Sequence, residues 1–373
     1  PAPAPPAAPE AEALILYTSG TTSGPKGVVL SRRALASRLE ALRRAVPATS
    51  LERALCALPL HHGHGLIGGL LLPLTAGREV VLAPPLSSAS AFDLGALVAE
   101  SRATFATGVP ALWRAALRLS APPPRGLLRR LHSASSPLDA DLRRELAEWS
   151  GGAEVVNVYG MTEAAAWVSG SEPGDGRPGA VGRGWGAELV VADEAADAPA
   201  PLPAGREGEV WVRADSLMSG YAGRPELTAR VLRGGWYRTG DRGVAEPDGV
   251  LRLLGRRDDA INRAGVKVQP EEVEAALARH PDVAEACAFG VPHEIAGALV
   301  AAAVVWRPGA RAGFADLERW CGERLAEAKV PRRWFALERL PRTATGKARR
   351  REVAALCARG EGGAASDAAP RRP

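Results

Sequence analysis

Lysine is almost missing from this 373-residue sequence: of 47 basic residues, only Lys26, Lys267, Lys329 and Lys347 are lysines and the rest are arginine. Where composition favours arginine so strongly, a retained lysine points to a need for a compact ammonium charge, so its neighbours carry information. Cysteine is scarce too. Cys56, Cys287, Cys321 and Cys357 lie far apart with no C-x-x-C pair, which argues against a zinc site or a disulfide framework and fits a reducing cytoplasm. No apolar run reaches the roughly 18 to 20 residues of a membrane-spanning helix, and the opening PAPAPPAAPEAEA has neither the basic nor the apolar region of a signal peptide. A strong charge imbalance is also lacking. The formal net charge of +5 is spread along the chain, so neither nucleic acid nor a membrane is an expected partner. What is present, 46% hydrophobic and 24% charged residues, is the composition of a globular protein long enough for two domains.

Residues 1–12 read as a Pro/Ala linker. From Ala13 an apolar run, the loop Thr18 to Gly27 and a second apolar run read as strand, glycine-rich loop, strand. Ser31 then stands as the N-cap of a helix with leucine and alanine at helical spacing. Apolar segments (LCALPL, LIGGLLLPL, REVVLA) alternating with helical ones give an α/β core over 13–256, whose part 175–256 is a β-rich subdomain of short strands and turns. Pro270, Glu271 and Glu272 open a helix, and two strands, an amphipathic stretch from Phe314 and a short apolar segment follow. These make a smaller, mobile C-terminal α+β domain over 257–358, and 359–373 reads as a disordered tail.

Five segments carry chemistry. Thr18-Ser19-Gly20-Thr21-Thr22-Ser23-Gly24-Pro25-Lys26-Gly27 offers hydroxyls, glycines and one ammonium, the donors that wrap a polyphosphate, but it is not a Walker A loop because no Gly-Lys-Ser/Thr is present. Downstream lie Tyr159-Gly160-Met161-Thr162-Glu163, Gly235-Trp236-Tyr237-Arg238-Thr239-Gly240-Asp241, Gly255-Arg256-Arg257-Asp258-Asp259 and Pro341-Arg342-Thr343-Ala344-Thr345-Gly346-Lys347. Singly, each admits a bland reading as a turn or a solvated loop. Together, in this order and over about 13–350, they resemble the phosphate loop, Y-G-x-T-E, G-W-x-x-T-G-D, G-R-x-D and P-x-T-x-T-G-K motifs of the acyl-adenylate-forming (AMP-binding) superfamily. That superfamily includes acyl-CoA synthetases, luciferases and peptide-synthetase adenylation domains.

The resemblance implies a set of roles. ATP would be held by Thr18, Ser19, Gly20, Thr21, Thr22 and Lys26, by Ser135 in the adenine-side segment, by a stacking Tyr159 with Gly160 and Met161, and by Thr162 on phosphate. Asp241 and Arg256 would take the ribose, Glu163 would hold Mg²⁺, Asp258 would be the pivot between domains, and Lys347 would reach the α-phosphate. The reaction implied is attack of a carboxylate on the α-phosphorus of ATP with release of pyrophosphate. Rotation of the small domain, presenting the loop at Gly265, and transfer to a pantetheine thiol of CoA or an acyl carrier protein would follow. Pro59 to Gly65 resembles the P-L-x-H-x-x-G stretch of acyl- and aryl-CoA synthetases, with His62 on its catalytic histidine. His61, His62 and His64 also suggest a metal, against which stand their glycine-rich spacing and the lack of a nearby carboxylate or cysteine. No aspartate for an amino group lies nearby, so a simple carboxylic acid is expected. Asn157, where some dicarboxylate-using relatives carry arginine, speaks against a malonate-like acid.

Three departures accompany the resemblance. Ser23 and Ala134 replace family glycines, and only a Pro/Ala stretch stands where relatives carry an N-terminal subdomain. An excised piece of a larger polypeptide, a short form completed by a partner and a degenerate gene product would each explain the last. The alternative function is a non-catalytic nucleotide- or carrier-binding module, or one fragment of a multidomain synthetase.

Overall fold

The structure, a computed structural model, describes residues 8–18, 26–83, 93–263, 266–293, 297–343, 348–360 and 363–367. It divides into two compact units: Pro1–Thr239 with Gly243–Leu253, and Gly240–Arg242 with Leu254–Pro373.

In the first unit, β1 (Glu12–Thr18) and β2 (Lys26–Ser31) form an antiparallel hairpin in which Thr18 faces Lys26. Residues 8–12, expected to be part of a linker, instead dock on the start of α1 (Arg32–Ala45), where the N–H groups of Arg32 and Arg33 donate to the carbonyls of Ala11 and Pro9 at 2.9 and 2.8 Å. The physical reason is that first-turn N–H groups of a helix have no partner within it. The Ser31 hydroxyl accepts a third N–H, from Ala34 at 3.1 Å, so the residue read as a cap is one. Beyond β3 (Arg53–Cys56), the segment LIGGLLLPL is not a strand but a π-type helical turn over His64–Leu71 running into α2 (Leu72–Thr75). Its glycines permit close packing: a Cβ on Gly65 would stand 2.5 Å from the Pro59 carbonyl oxygen.

The chain then alternates β4 (Glu79–Leu82), α3 (Leu94–Ser101), β5 (Phe105–Gly108), α4 (Pro110–Leu119), β6 (Arg130–Ser133), α5 (Ala140–Trp149) and β7 (Glu154–Met161). The strands lie parallel in the order β4-β3-β5-β6-β7. A parallel sheet is stable when both faces are covered. One face here buries Leu39, Leu42, Ile67 and Phe105, and the other buries Leu94, Val98, Leu142 and Leu146. From β7 the sheet continues through mostly short strands: β8 (Ala166–Gly170), β9 (Ala180–Gly184), β10 (Glu188–Ala192), β11 (Glu207–Arg213), then β12 (Gly220–Tyr221), α6 (Pro225–Val231), β13 (Leu232–Arg233), β14 (Trp236–Ala245) and β15 (Leu251–Arg256), the last two strands being assigned partly to each unit. Their order is β7-β8-β9-β15-β14-β11-β10, with β13 on β14, while β12 leaves this sheet to pair with β2.

The second unit holds β16 (Ile261–Arg263), β17 (Val266–Val268), α7 (Pro270–Ala278), β18 (Val283–His293), β19 (Gly297–Trp306), α8 (Phe314–Gly322), β20 (Arg333–Ala336), α9 (Arg350–Ala358) and β21 (Gly363–Asp367). Strand β21 falls in the tail expected to be disordered. It pairs antiparallel with β20, whose other edge is taken by β19, so it satisfies backbone groups that an edge strand leaves open. At the base of the loop that leads to Lys347, Arg342 bridges Ala348 and the Arg349 N–H donates to the Pro341 carbonyl at 2.8 Å.

Candidate functional site

The parallel strands β3, β5, β6 and β7 lie side by side, and their carboxyl ends lead into the segments singled out by sequence: His61–His64 after β3, Ser135 after β6 and Gly160–Glu163 at the end of β7. That edge of an open α/β sheet is where ligands bind. The backbone there is strained. Exposed Ser135 has φ +70°, and the consecutive Ala165 and Ala166 have φ +54° and +79°. Each costs roughly 1–2 kcal/mol for a residue with a Cβ. The two alanines end the short turn Thr162–Ala164 and send the chain back along β7 as β8. Gly160 is required by this reversal, since a Cβ on it would fall 2.1 Å from the Ala166 carbonyl oxygen.

The reversal places Glu163 beside the hairpin. The Tyr221 hydroxyl donates to Glu163 Oε1 at 2.7 Å, and Lys26 Nζ stands 5.4 Å from the centroid of the same tyrosine ring. Tyr221 is held by β12 against Val28 of β2, and the Met218 N–H donates to the Glu163 carbonyl at 2.8 Å. One buried tyrosine thus ties the phosphate-loop strand to the Y-G-M-T-E turn. Sequence reading missed it; its only signal is an aromatic between two turn glycines, Gly220 and Gly223. No cation among the described residues pairs with Glu163. A carboxylate whose one described partner is a neutral hydroxyl fits Mg²⁺, a hard cation that takes oxygen ligands.

Tyr159 is only 8% exposed and packs with Val168, Val181 and Leu251, so most of its ring belongs to the core. Asn157 is buried, and its Nδ2 donates to the Ala180 carbonyl at 2.9 Å. Asp241 and Arg256, both in the second unit, form an ion pair at 2.9 Å. Ser19 to Pro25, Gly265 and Ala344 to Lys347 lie outside the described residues, as does the side chain of Asp258.

After β3, the His61 and His62 rings lie tilted by 48° with centroids 4.1 Å apart, and burial with the adjoining His61 pushes the His62 pKa down. His64 turns inward. It hydrogen-bonds the Thr107 hydroxyl, and full burial takes its pKa to about 3. His132 of β6 is likewise held neutral by burial, and its Nε2 accepts from Arg130 Nε at 2.9 Å. The His62 segment borders the β7–β8 reversal, since a Cβ on Gly63 would lie 3.9 Å from Ala166 Cβ. Hairpin, acidic turn and histidine segment therefore form one neighbourhood within the first unit.

Comparison with known proteins follows the same division. A family model described as AMP-binding enzyme matches residues 1–222, and one for the AMP-binding enzyme C-terminal domain matches 272–347. An oxalate–CoA ligase of Arabidopsis thaliana is 38% identical over 93% of this chain and 68% of its own length. A sulfoacetate–CoA ligase of Cupriavidus necator is 36% identical, again over 93% and 68%. The crystal structure of ATP-bound MatB from Rhodopseudomonas palustris superposes with a TM-score of 0.83 at 33% identity, covering 93% of this chain and 68% of that one. The chain spans about two-thirds of the length of the curated relatives it matches. With both domain models matched in order and the fold shared, the chain belongs to the AMP-binding enzyme family.

Proposed function

We propose that this protein activates a carboxylic acid with ATP to an acyl-adenylate and then passes the acyl group to the pantetheine thiol of CoA, an acyl carrier protein being the second candidate acceptor. The observation that carries the reading is the Lys26–Tyr221–Glu163 arrangement, which gathers, from two distant motifs, an ammonium and a carboxylate that has no cation partner among the described residues. The relatives named as CoA ligases and the ATP-bound structural neighbour support it.

In the first step a carboxylate oxygen attacks the α-phosphorus, a P–O bond forms, and the bond to the bridging oxygen breaks with its electron pair leaving on pyrophosphate. Negative charge accumulates on the phosphate oxygens, so catalysis is positioning and electrostatic stabilisation. Lys26 at the mouth of the hairpin attracts the departing pyrophosphate, and Lys347 neutralises charge at the α-phosphate. Mg²⁺, when bound, supplies positive charge shared among the phosphate oxygens. Glu163 would hold it, with Tyr221 fixing the carboxylate through Oε1. Neutral His62 lines the approach of the acid. In the second step the thiol sulfur attacks the acyl carbonyl, the bond to AMP breaks with its electron pair on AMP, and the thiol proton goes to solvent.

Among the described residues no helix is long and apolar enough to cross a membrane, and a cytoplasmic location belongs to the same proposal. Carboxylate-dependent ATP–pyrophosphate exchange tests the reading. Exchange with at least one acid is expected, and Lys347→Ala should lower it by about two or more orders of magnitude with ATP binding nearly intact. ATP binding without exchange across a broad acid panel would favour the non-catalytic module instead.

A further inference from the structure

The interior behind the His62 segment bears on which acid is taken. Trp167, the second residue of β8, is 2% exposed and lies four residues beyond Glu163. Its indole rests on Gly68 of the π-type turn, where an added Cβ would be 2.4 Å from Cζ2 of the ring. Its backbone abuts Gly160, where an added Cβ would be 2.7 Å from the Trp167 Cα. The side chain therefore fills the space between the helical turn that follows His62 and the strand that carries the Y-G-M-T-E motif. The rings of His64 and His132 meet it edge-on, at 5.4 and 4.8 Å between centroids.

This wall is bulky and also short of hydrogen-bond partners. Because Arg130 Nε donates to His132 Nε2, the neutral ring keeps its proton on Nδ1. That Nδ1 and Trp167 Nε1 are both buried donors with no partner among the described residues. Buried donors are ordinarily matched by an acceptor, from protein, water or ligand.

Resting on the acid-activating reading above, we propose that Trp167 determines specificity by closing the acid site. The acid is then compact and carries a second hydrogen-bond acceptor close to its carboxylate, as short oxo and hydroxy acids and oxalate do, whereas aryl and long-chain acids do not enter. Interiors are packed as densely as organic crystals, so an indole seated on a glycine leaves no room for a second ring or an alkyl chain. Unmatched donors favour an acid that brings an acceptor over one of equal size that brings none.

The test is ATP–pyrophosphate exchange with glycolate, pyruvate, oxalate, propionate, benzoate and octanoate, using wild type, Trp167→Leu and Trp167→Phe. Wild type should use at least one of the first three with kcat/KM about tenfold or more above propionate, and benzoate or octanoate more weakly still. Trp167→Leu should raise benzoate or octanoate relative to the compact acid by about tenfold or more. Thermal melting reports whether that variant folds; if it does not, Trp167→Phe, which keeps a ring, carries the same comparison with a smaller expected gain. Efficient wild-type use of benzoate or octanoate, or unchanged selectivity in folded variants, would overturn the role of Trp167. Propionate equalling the first three would overturn the acceptor requirement. ATP binding without exchange with any acid would remove the activating reading itself, and this inference with it.

Discussion

Tyr221 illustrates how a residue outside every motif comes to matter. Its hydroxyl holds Glu163 Oε1 at 2.7 Å while its ring lies under Lys26. Tyr221→Phe keeps the ring and removes the hydrogen bond, so stability should fall by no more than about 1.5 kcal/mol. The magnesium dependence of ATP binding, followed by calorimetry, should shift to higher concentration by several-fold; an unshifted dependence would assign Tyr221 to packing alone. His64 gives a pH signature. Its pKa is about 3 in the fold against 6.5 for a free imidazole, so between these values the unfolded chain binds the extra proton. The stability of the neutral buried ring is complete above pH 6.5 and is lost as pH falls towards 3, up to about 5 kcal/mol in all. Urea denaturation from pH 7 to 4 should show this loss. In His64→Gln its slope should drop by about one proton near pH 5, with His132, shifted the same way, leaving a remainder.

Among elements, those whose signals are local were legible in the sequence. The two strands flanking the Thr18 to Lys26 segment, the Ser31-capped helix and the Pro270 helix start are written in adjacent residues, and the structure has all of them. The π-type turn at His64–Leu71 was not legible, because its glycines answer to partners distant in sequence or in an adjoining turn: Gly68 to Trp167 and Gly65 to Pro59. The same reason hid β12, a two-residue strand made by pairing with β2, and β21, recruited by the open edge of β20. At the candidate site, motif residues could be named from sequence, whereas Tyr221 and Trp167 act through contacts that no spacing announces. Gly65→Ala tests the close packing. Its Cβ meets a backbone oxygen at 2.5 Å, which no side-chain rotation relieves, whereas Gly77 (φ +70°) faces open space. Gly77→Ala should cost about 1–2 kcal/mol and leave ATP–pyrophosphate exchange unchanged. Gly65→Ala should melt lower than that and lose exchange; equal melting temperatures would mean the turn shifts freely.

At the scale of the whole molecule, the two units have separate cores, and the second is held by a charged centre of its own. Arg350, just after the loop that carries Lys347, reaches Asp259, Glu271 and Glu274 at 2.6, 3.2 and 2.9 Å. Its Nε also donates to the Ala288 carbonyl at 2.8 Å. These contacts join α9 and β18 to α7 and to the turn that contains the proposed pivot, Asp258. Arg350→Met would strand three carboxylates around a largely buried position, at a cost of about 3–5 kcal/mol. Hydrogen exchange should quicken across 254–360 and stay unchanged in 26–83, whereas uniform quickening would mean that the two units unfold together.

The measurement that bears most directly on the account is mass-spectrometric detection of the acyl-adenylate. With ATP, Mg²⁺ and a compact acid but no thiol, acyl-AMP and pyrophosphate should form, and added CoA should convert the adenylate to thioester and AMP. A protein that binds ATP yet forms no adenylate with any acid would contradict it.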